Sequence, residues 1–391
     1  MSQTTMMENP KVENVVEQNN RLTFTLSGID VSIANAIRRT IISDIPLYVF
    51  KTSPHEENKC TITANTSRLN NEIVKQRLSC IPICLNENNK LPLEEFILEV
   101  DKENDTDTMM FVTTKDFKLK HKDSGRYLSD NELIKVFPPF ITTKGTEYYI
   151  DFLRLRPRMS SEIPGEKIKL TCEIIISTAK DDSAFNVVGT CSYGFTPDLT
   201  TIESVITQMI AKLKESNATQ DQIDFQVNNY KTLEAYRNVV KDSFDFIIET
   251  VGVYDNSQLM VKACSVIIRD FEKLISTCEK DELRIEKSIT TISNCYDVIL
   301  ENEDYTIGNI LNYIIYTIYY VNSKELNYCG YKKMHPHDPD SILRLGFSGE
   351  QSSKAEVKNM IVHASNITIN TLRKIRENFT IKSGIRSSQS Q

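Results

Sequence analysis

Asn35, Arg38 and Arg39 stand three and four residues apart, so a helix would gather them on one face. An arginine fork can make two parallel hydrogen bonds to a carboxylate or to backbone carbonyls. That is a chemistry of recognition rather than of bond breaking, and lysine would be a poor substitute. From the residues alone, the group is either the solvated side of an amphipathic helix or a surface that grips another protein. A further reading, with the Arg38 and Arg39 helix in a DNA groove, would make the chain a free-standing transcription factor. The formal charge of -7 opposes it, because binding to DNA draws on a basic surface that releases counterions. Two other sets are of metal-ligand type: Cys80 and Cys84 with Cys60 and His55 upstream, and Cys329 with His335 and His337. A zinc site takes four ligands, usually as two close pairs. The first set has only one close pair and the second has no fourth ligand, so buried thiols and a proline-stiffened loop are expected and no metal is assigned. No glycine-rich phosphate loop, cluster of metal-binding aspartates or nucleophile elbow is found. No catalytic residue and no cofactor is expected, and nothing supports an independent enzyme.

The element that must position the arginines is a helix over residues 30–46, DVSIANAIRRTIISDIP. Ser32 is the expected N-cap, Asp30 adds favourable charge at that end, and Pro46 stops the helix. Ile33, Ile37, Ile41 and Ile45 recur every four residues and make a stripe that wants a core. The pattern is written twice. Asp30-Val-Ser32-Ile33-Ala34-Asn35 returns as Asp304-Tyr-Thr306-Ile307-Gly308-Asn309, each copy after a strand-like run, at 22–26 and 296–300. Each is followed later by a long amphipathic stretch, 258–280 and 353–379. Two related domains in one chain is the economical reading.

With 391 residues, 40% of them hydrophobic, the chain has room for two or three domains. Nine cysteines, odd in number and without pairing rhythm, suit a reducing compartment. No secretory signal is apparent. The most apolar stretch, 305–321, is broken by Gly308, Asn309 and Asn312 and is short for a membrane span. An intracellular protein of nucleus or cytoplasm, without a membrane partner, is expected. Residues 1–19 read as a disordered leader and 381–391 as a disordered tail. Residues 47–184 change texture to short β-type runs between polar turns, with one helix at 71–80, and look like an inserted β-rich domain. A strand at 185–195, an amphipathic helix at 202–213, a strand at 244–253 and a charged connector at 279–287 complete the expected order. The fold class is α+β.

At this point the runs resemble a known family. SGIDVSIANAIRRTIISDIP, NEIVKQRLSCIPI and FNVVGTCSYGF resemble the α-like large assembly subunit of cellular RNA polymerases, the third-largest subunit in RNA polymerase II and α in bacteria. ENEDYTIGNILNYIIY and CGYKKMHPHDPDSILRLGF resemble the small α-like subunit that pairs with it. The two look fused, an arrangement similar to that in polymerases of large DNA viruses of eukaryotes. The resemblance implies two α-subunit-like dimerisation domains, residues 20–46 with 185–280 and residues 281–380, forming an intramolecular pseudo-dimer, with the β-rich domain of 47–184 inserted in the first. It implies a non-catalytic assembly scaffold of a DNA-dependent RNA polymerase. Its partners would be the large β-like and β′-like catalytic subunits and other small polymerase subunits, with DNA and RNA met only through the complex. A viral source would place it in host cytoplasm and virion. Dimerisation would fall to Ile33, Ile37, Ile41, Ile267, Phe271, Leu274, Ile307, Asn309 and Leu311. Docking of the catalytic subunits would fall to Asn35, Arg38, Arg39 and Arg77. Many eukaryotic relatives carry a cysteine-rich zinc loop, and some archaeal ones an iron-sulfur cluster, where residues 85–95 here hold no cysteine. No close counterpart in the family is placed for residues 199–242, whose role is open.

Overall fold

The hairpin of β1 (Lys11–Gln18) and β2 (Arg21–Ser27) turns on Asn19 and Asn20, at φ 50° and 65°. A two-residue hairpin turn needs such left-handed residues, and asparagine tolerates them. Residues 11–18, expected within the leader, are thus a strand, paired from Lys11 opposite Ser27 to Gln18 opposite Arg21. The computed structural model describes residues 9–84, 91–160, 162–349 and 352–386, with backbone alone over 381–386; residues 1–8 of the expected leader and 387–391 of the expected tail lie outside this range. Helix α1 (Val31–Ser43) follows β2. Its cap is Asp30 rather than Ser32: Asp30 Oδ1 accepts from the Ser32 amide at 2.8 Å, while the Ser32 hydroxyl is buried without a partner.

The chain continues through β3 (Leu47–Val49), β4 (Cys60–Asn65), α2 (Asn71–Ser79), β5 (Phe96–Glu103), β6 (Met110–Thr113), β7 (Lys118–His121), α3 (Asp130–Val136), β8 (Phe140–Ile141), β9 (Glu147–Tyr148), β10 (Asp151–Leu155), β11 (Lys167–Glu173) and β12 (Ile175–Ser177). Next come β13 (Val188–Pro197), α4 (Leu199–Glu215), α5 (Gln220–Leu233), β14 (Val239–Thr250) and α6 (Asn256–Glu279). Then follow β15 (Arg284–Lys287), β16 (Cys295–Leu300), α7 (Tyr305–Ile315) with a π-helical extension over Tyr316–Asn322, β17 (Leu326–Lys332), β18 (Ser341–Phe347) and α8 (Lys354–Arg386). The fold is mixed α+β. Two compact units are made, one from Met1–Ile41, Thr190–Glu249 and Asn256–Gln391, the other from Ile42–Gly189 and Thr250–Asp255.

In the first unit two four-stranded sheets share one plan. Their orders are β1-β2-β14-β13 and β15-β16-β18-β17, so each runs first, second, fourth, third strand of its set. In both, the second strand leads to a helix opened by aspartate, α1 or α7, and the fourth leads to a long helix, α6 or α8. Residues 284–287, expected in a connector, are instead the edge strand β15, paired from Arg284 opposite Ile299 to Lys287 opposite Tyr296. Four residues with only Ile285 buried are too short to show alternation. Residues 381–386, expected in the tail, continue α8. The helix α5 was not anticipated; its polar sequence hides a complete capping box, Thr219 with Gln222. Phe24 of β2 stacks on Phe246 of β14 at 5.1 Å and meets Phe379 of α8 edge-on at 5.0 Å. A side chain from the last helix therefore completes the core of the N-terminal sheet. Helices α6 and α8 are also joined by Arg373 to Glu272 at 3.0 Å and by Arg376 to the Ser265 hydroxyl at 3.4 Å.

The second unit is built on the antiparallel sheet β4-β11-β5-β7 with three two-stranded ribbons, β3 with β12, β6 with β10 and β8 with β9. Phe117 meets Phe137 and Phe152 edge-on at 5.4 Å in its core. Cys60 and Cys172 stand directly opposite each other in the β4–β11 ladder.

Candidate functional site

Helix α1 divides its residues among three directions. Ile33, Ile37 and Ile41 are fully buried. Val31, Asn35 and Arg38 follow one another at helical spacing along the open side: Val31 is 39% exposed, and the other two are half-buried. Asn35 Oδ1 accepts from Arg38 Nε at 3.1 Å and Nη2 at 2.9 Å, which fixes the guanidinium and leaves its remaining donors for another acceptor. Arg39, one step of about 100° further round the helix, points to the second copy of the repeat. Its Nε donates to Thr306 Oγ1 at 2.9 Å, and its Nη2 forms an ion pair with Asp304. The expected set of Asn35, Arg38 and Arg39 is thus split, with Arg39 committed within the chain.

Asp304 does three jobs at once. It caps α7 by accepting from the Thr306 amide at 2.7 Å, it is among the groups that engage the Thr306 side chain, and it receives Arg39. Burial pushes its carboxyl up, but the Thr306 bonds and then the Arg39 charge outweigh this and hold it below the usual carboxylate range. The reciprocal position has a reciprocal neighbour. Since Asp30 corresponds to Asp304 in the repeat, Arg39 corresponds to Tyr313, and Tyr313 lies close enough to Asp30 that, after burial, the Asp30 charge raises its phenol. Each helix therefore sets its ninth residue beyond the capping aspartate near the capping aspartate of the other. Sequence reasoning singled out the repeat but missed this pairing; the signal was the aspartate present in both copies.

Of the residues expected in dimerisation, Ile267, Phe271, Ile307 and Leu311 are buried, while Leu274 and Asn309 are half-buried. Arg77 lies in the β-rich unit on α2, where Nε donates to the Phe152 carbonyl at 2.7 Å and Nη2 to that of Asp151 at 2.9 Å. Of the metal-type sets, Cys60 is turned to Cys172, Cys80 is exposed, and Cys329 Sγ approaches Asn312 Oδ1 at 3.5 Å. His335 and His337 pack edge-on at 5.1 Å. Among the described residues, no group of three or more histidine, cysteine, aspartate or glutamate side chains could share a metal ion. Among them, too, no helix is long and apolar enough to cross a membrane. The cysteine-free stretch noted at 85–95 lies outside the described residues over 85–90.

The sequence that builds this arrangement has a counterpart among known proteins. A family model described as the RNA polymerase Rpb3/Rpb11 dimerisation domain matches residues 23–271. The chain belongs to this family. Similar curated proteins include the DNA-directed RNA polymerases I and III subunit rpac1 of Dictyostelium discoideum, 28% identical over 308 residues, covering 69% of this chain and 84% of the relative. The human RPAC1 subunit is 27% identical over 298 residues, covering 67% and 82%. The RNA polymerase II subunit rpb3 of Dictyostelium discoideum is 24% identical over 219 residues, covering 55% and 68%. The Rpb3/Rpb11 match ends inside α6, so α7, α8 and the sheet β15-β16-β18-β17 lie beyond it.

Proposed function

We propose that the chain is a non-catalytic assembly subunit of a DNA-dependent RNA polymerase in which a large and a small α-like half are fused and pair within one molecule. The observation that carries this is the two sheets of identical strand order, whose helices α1 and α7 meet through Arg39 with Asp304 and Thr306. Such a pair is an intramolecular pseudo-dimer with an approximate two-fold relation between its capping aspartates. Fusion raises the effective concentration of one half near the other to the order of mM for a short flexible tether and fixes their ratio at one to one. The β-rich unit belongs to the first half as an insertion. The open side of α1, Val31 with Asn35 and Arg38, is the docking surface for a large catalytic subunit. An arginine already oriented by Asn35 loses little freedom on binding. DNA and RNA meet the chain only through the assembled enzyme.

The test is to express tagged wild-type chain and Arg38→Glu in the native setting and compare what co-purifies. Arg38→Glu should leave α1 helical and remove most of the large catalytic subunit. Undiminished recovery of that subunit would refute the docking role of Arg38.

A further inference from the structure

The β-rich unit contains a cavity of about 470 Å³, in the size range of ligand pockets, bounded by the loop before α2, by α2 itself and by β10. Its charged lining is Arg68, Arg77, Arg154 and Arg156 against Asp151 and Glu166, a positive excess in a chain of formal charge -7. Among the described residues, one of the four arginine charges is matched at close range, that of Arg156 by Glu166. Arg77 spends two donors on neutral carbonyls. Arg154 lies over the Phe111 ring at 4.9 Å, a cation–π contact that uses none of its hydrogen-bond donors. Arg68 is exposed and has no hydrogen bond or ion pair among the described residues. Leu69, Met109 and Leu153 add apolar wall, with Met109 52% exposed.

We propose that this cavity binds an acidic peptide segment of a partner polypeptide, with a carboxylate held by Arg68 and Arg154 and a neighbouring aliphatic side chain against Leu69 and Met109. Arginine forks match carboxylate geometry, and a wall of aliphatic carbon selects a ligand that is not purely ionic. Single-stranded nucleic acid needs exposed rings on which bases stack. Among the described residues lining this cavity Phe152 is the single aromatic, and it is 0% exposed. The proposal depends on the chemistry of this cavity and not on the polymerase assignment or on α1.

The probe is a fluorescein-labelled, terminally blocked octapeptide of alternating leucine and glutamate, titrated with the full chain and read by anisotropy. A glutamine counterpart and a twelve-nucleotide oligothymidylate serve as comparisons. Saturable binding of the glutamate peptide is expected. It should weaken about tenfold or more with the glutamine peptide and with Arg68→Ala plus Arg154→Ala, while Lys135→Ala, an exposed lysine of α3 that does not line the cavity, has no effect. Arg68→Ala alone, which removes no side-chain bond among the described residues, should already weaken it several-fold. Absent binding, equal binding of the two peptides, or affinity unchanged in the arginine variants would overturn the proposal. Oligothymidylate bound more tightly than the glutamate peptide, and lost in the same variants, would also overturn it and assign the cavity to nucleic acid.

Discussion

Changing Arg39 to methionine keeps the aliphatic stem on α1 and deletes the guanidinium that reaches both Asp304 and Thr306. The two charged side chains are 36% and 34% exposed, between a surface pair, worth about 0.2–1 kcal/mol, and a buried charge-assisted bond, worth about 1.5–3 kcal/mol. Discounting for solvent at this exposure gives a coupling of about 1–1.5 kcal/mol across α1 and α7. Asp304→Asn is the matching change, because asparagine still caps a helix and only the charge is lost. Hydrogen exchange of the α1 and α7 amides, read by mass spectrometry, reports local opening without requiring the two units to unfold together. Each single variant should speed exchange in both helices by roughly five- to tenfold. The double variant should be little worse than either, because the shared interaction is lost only once. The pH dependence has a definite sign. Asp304 is depressed in the folded chain, so its contribution is complete above the unfolded value near 3.8 and is lost as pH falls through the lower folded value. Additive effects in the double variant, or unchanged exchange at α7 in Arg39→Met, would refute the bridge between the repeats.

Three further outcomes follow from the packing. Phe379→Ala removes a buried ring from against Phe24 and should cost about 3–5 kcal/mol, seen as faster proteolysis within α8 and faster exchange in β2; unchanged protection of β2 would contradict it. In the β-rich unit, Gly165→Ala would place a methyl 1.6 Å from the Asn104 carbonyl oxygen, and backbone cannot yield as a side-chain tip can. A loss of roughly 3 kcal/mol is expected in the protection of β5 and β10, and a neutral substitution would show the close approach to be wrong. With Ellman's reagent at pH 8 on native protein, Cys80 should react first and Cys80→Ser should abolish that fast phase. Cys264 should stay inert, its thiol buried and pushed up to about 12; a fast phase that survives Cys80→Ser would refute this.

What the sequence made legible was local. The aspartate, hydroxyl residue and isoleucine at the head of α1 and α7, the apolar stripe Ile33, Ile37 and Ile41, and the alternation in β5 and β11 each lie within a few residues and carry their own period. The misassigned cap shows the limit of type alone: aspartate and serine both cap well, and only the backbone direction at Asp30 decides between them. The β1 strand escaped notice because none of its residues is fully buried, a register shift between Glu13 and Val16 breaks its alternation, and only Asn19-Asn20 announced the turn. The Arg39 to Asp304 bridge spans 265 residues, and the Cys60 to Cys172 pairing is set by sheet register. No periodicity encodes either. The cavity arginines were unrecognised as a group for the same reason, since Arg68 and Arg77 come from one segment and Arg154 and Arg156 from another.

The most direct test of a fused α-like scaffold is to isolate the tagged chain from its native setting under mild salt and quantify the associated polypeptides by mass spectrometry. The account predicts two very large polymerase subunits at one copy each per chain, with no separate small α-like subunit in comparable amount. A stoichiometric small α-like subunit, or the folded chain recovered alone, would contradict it.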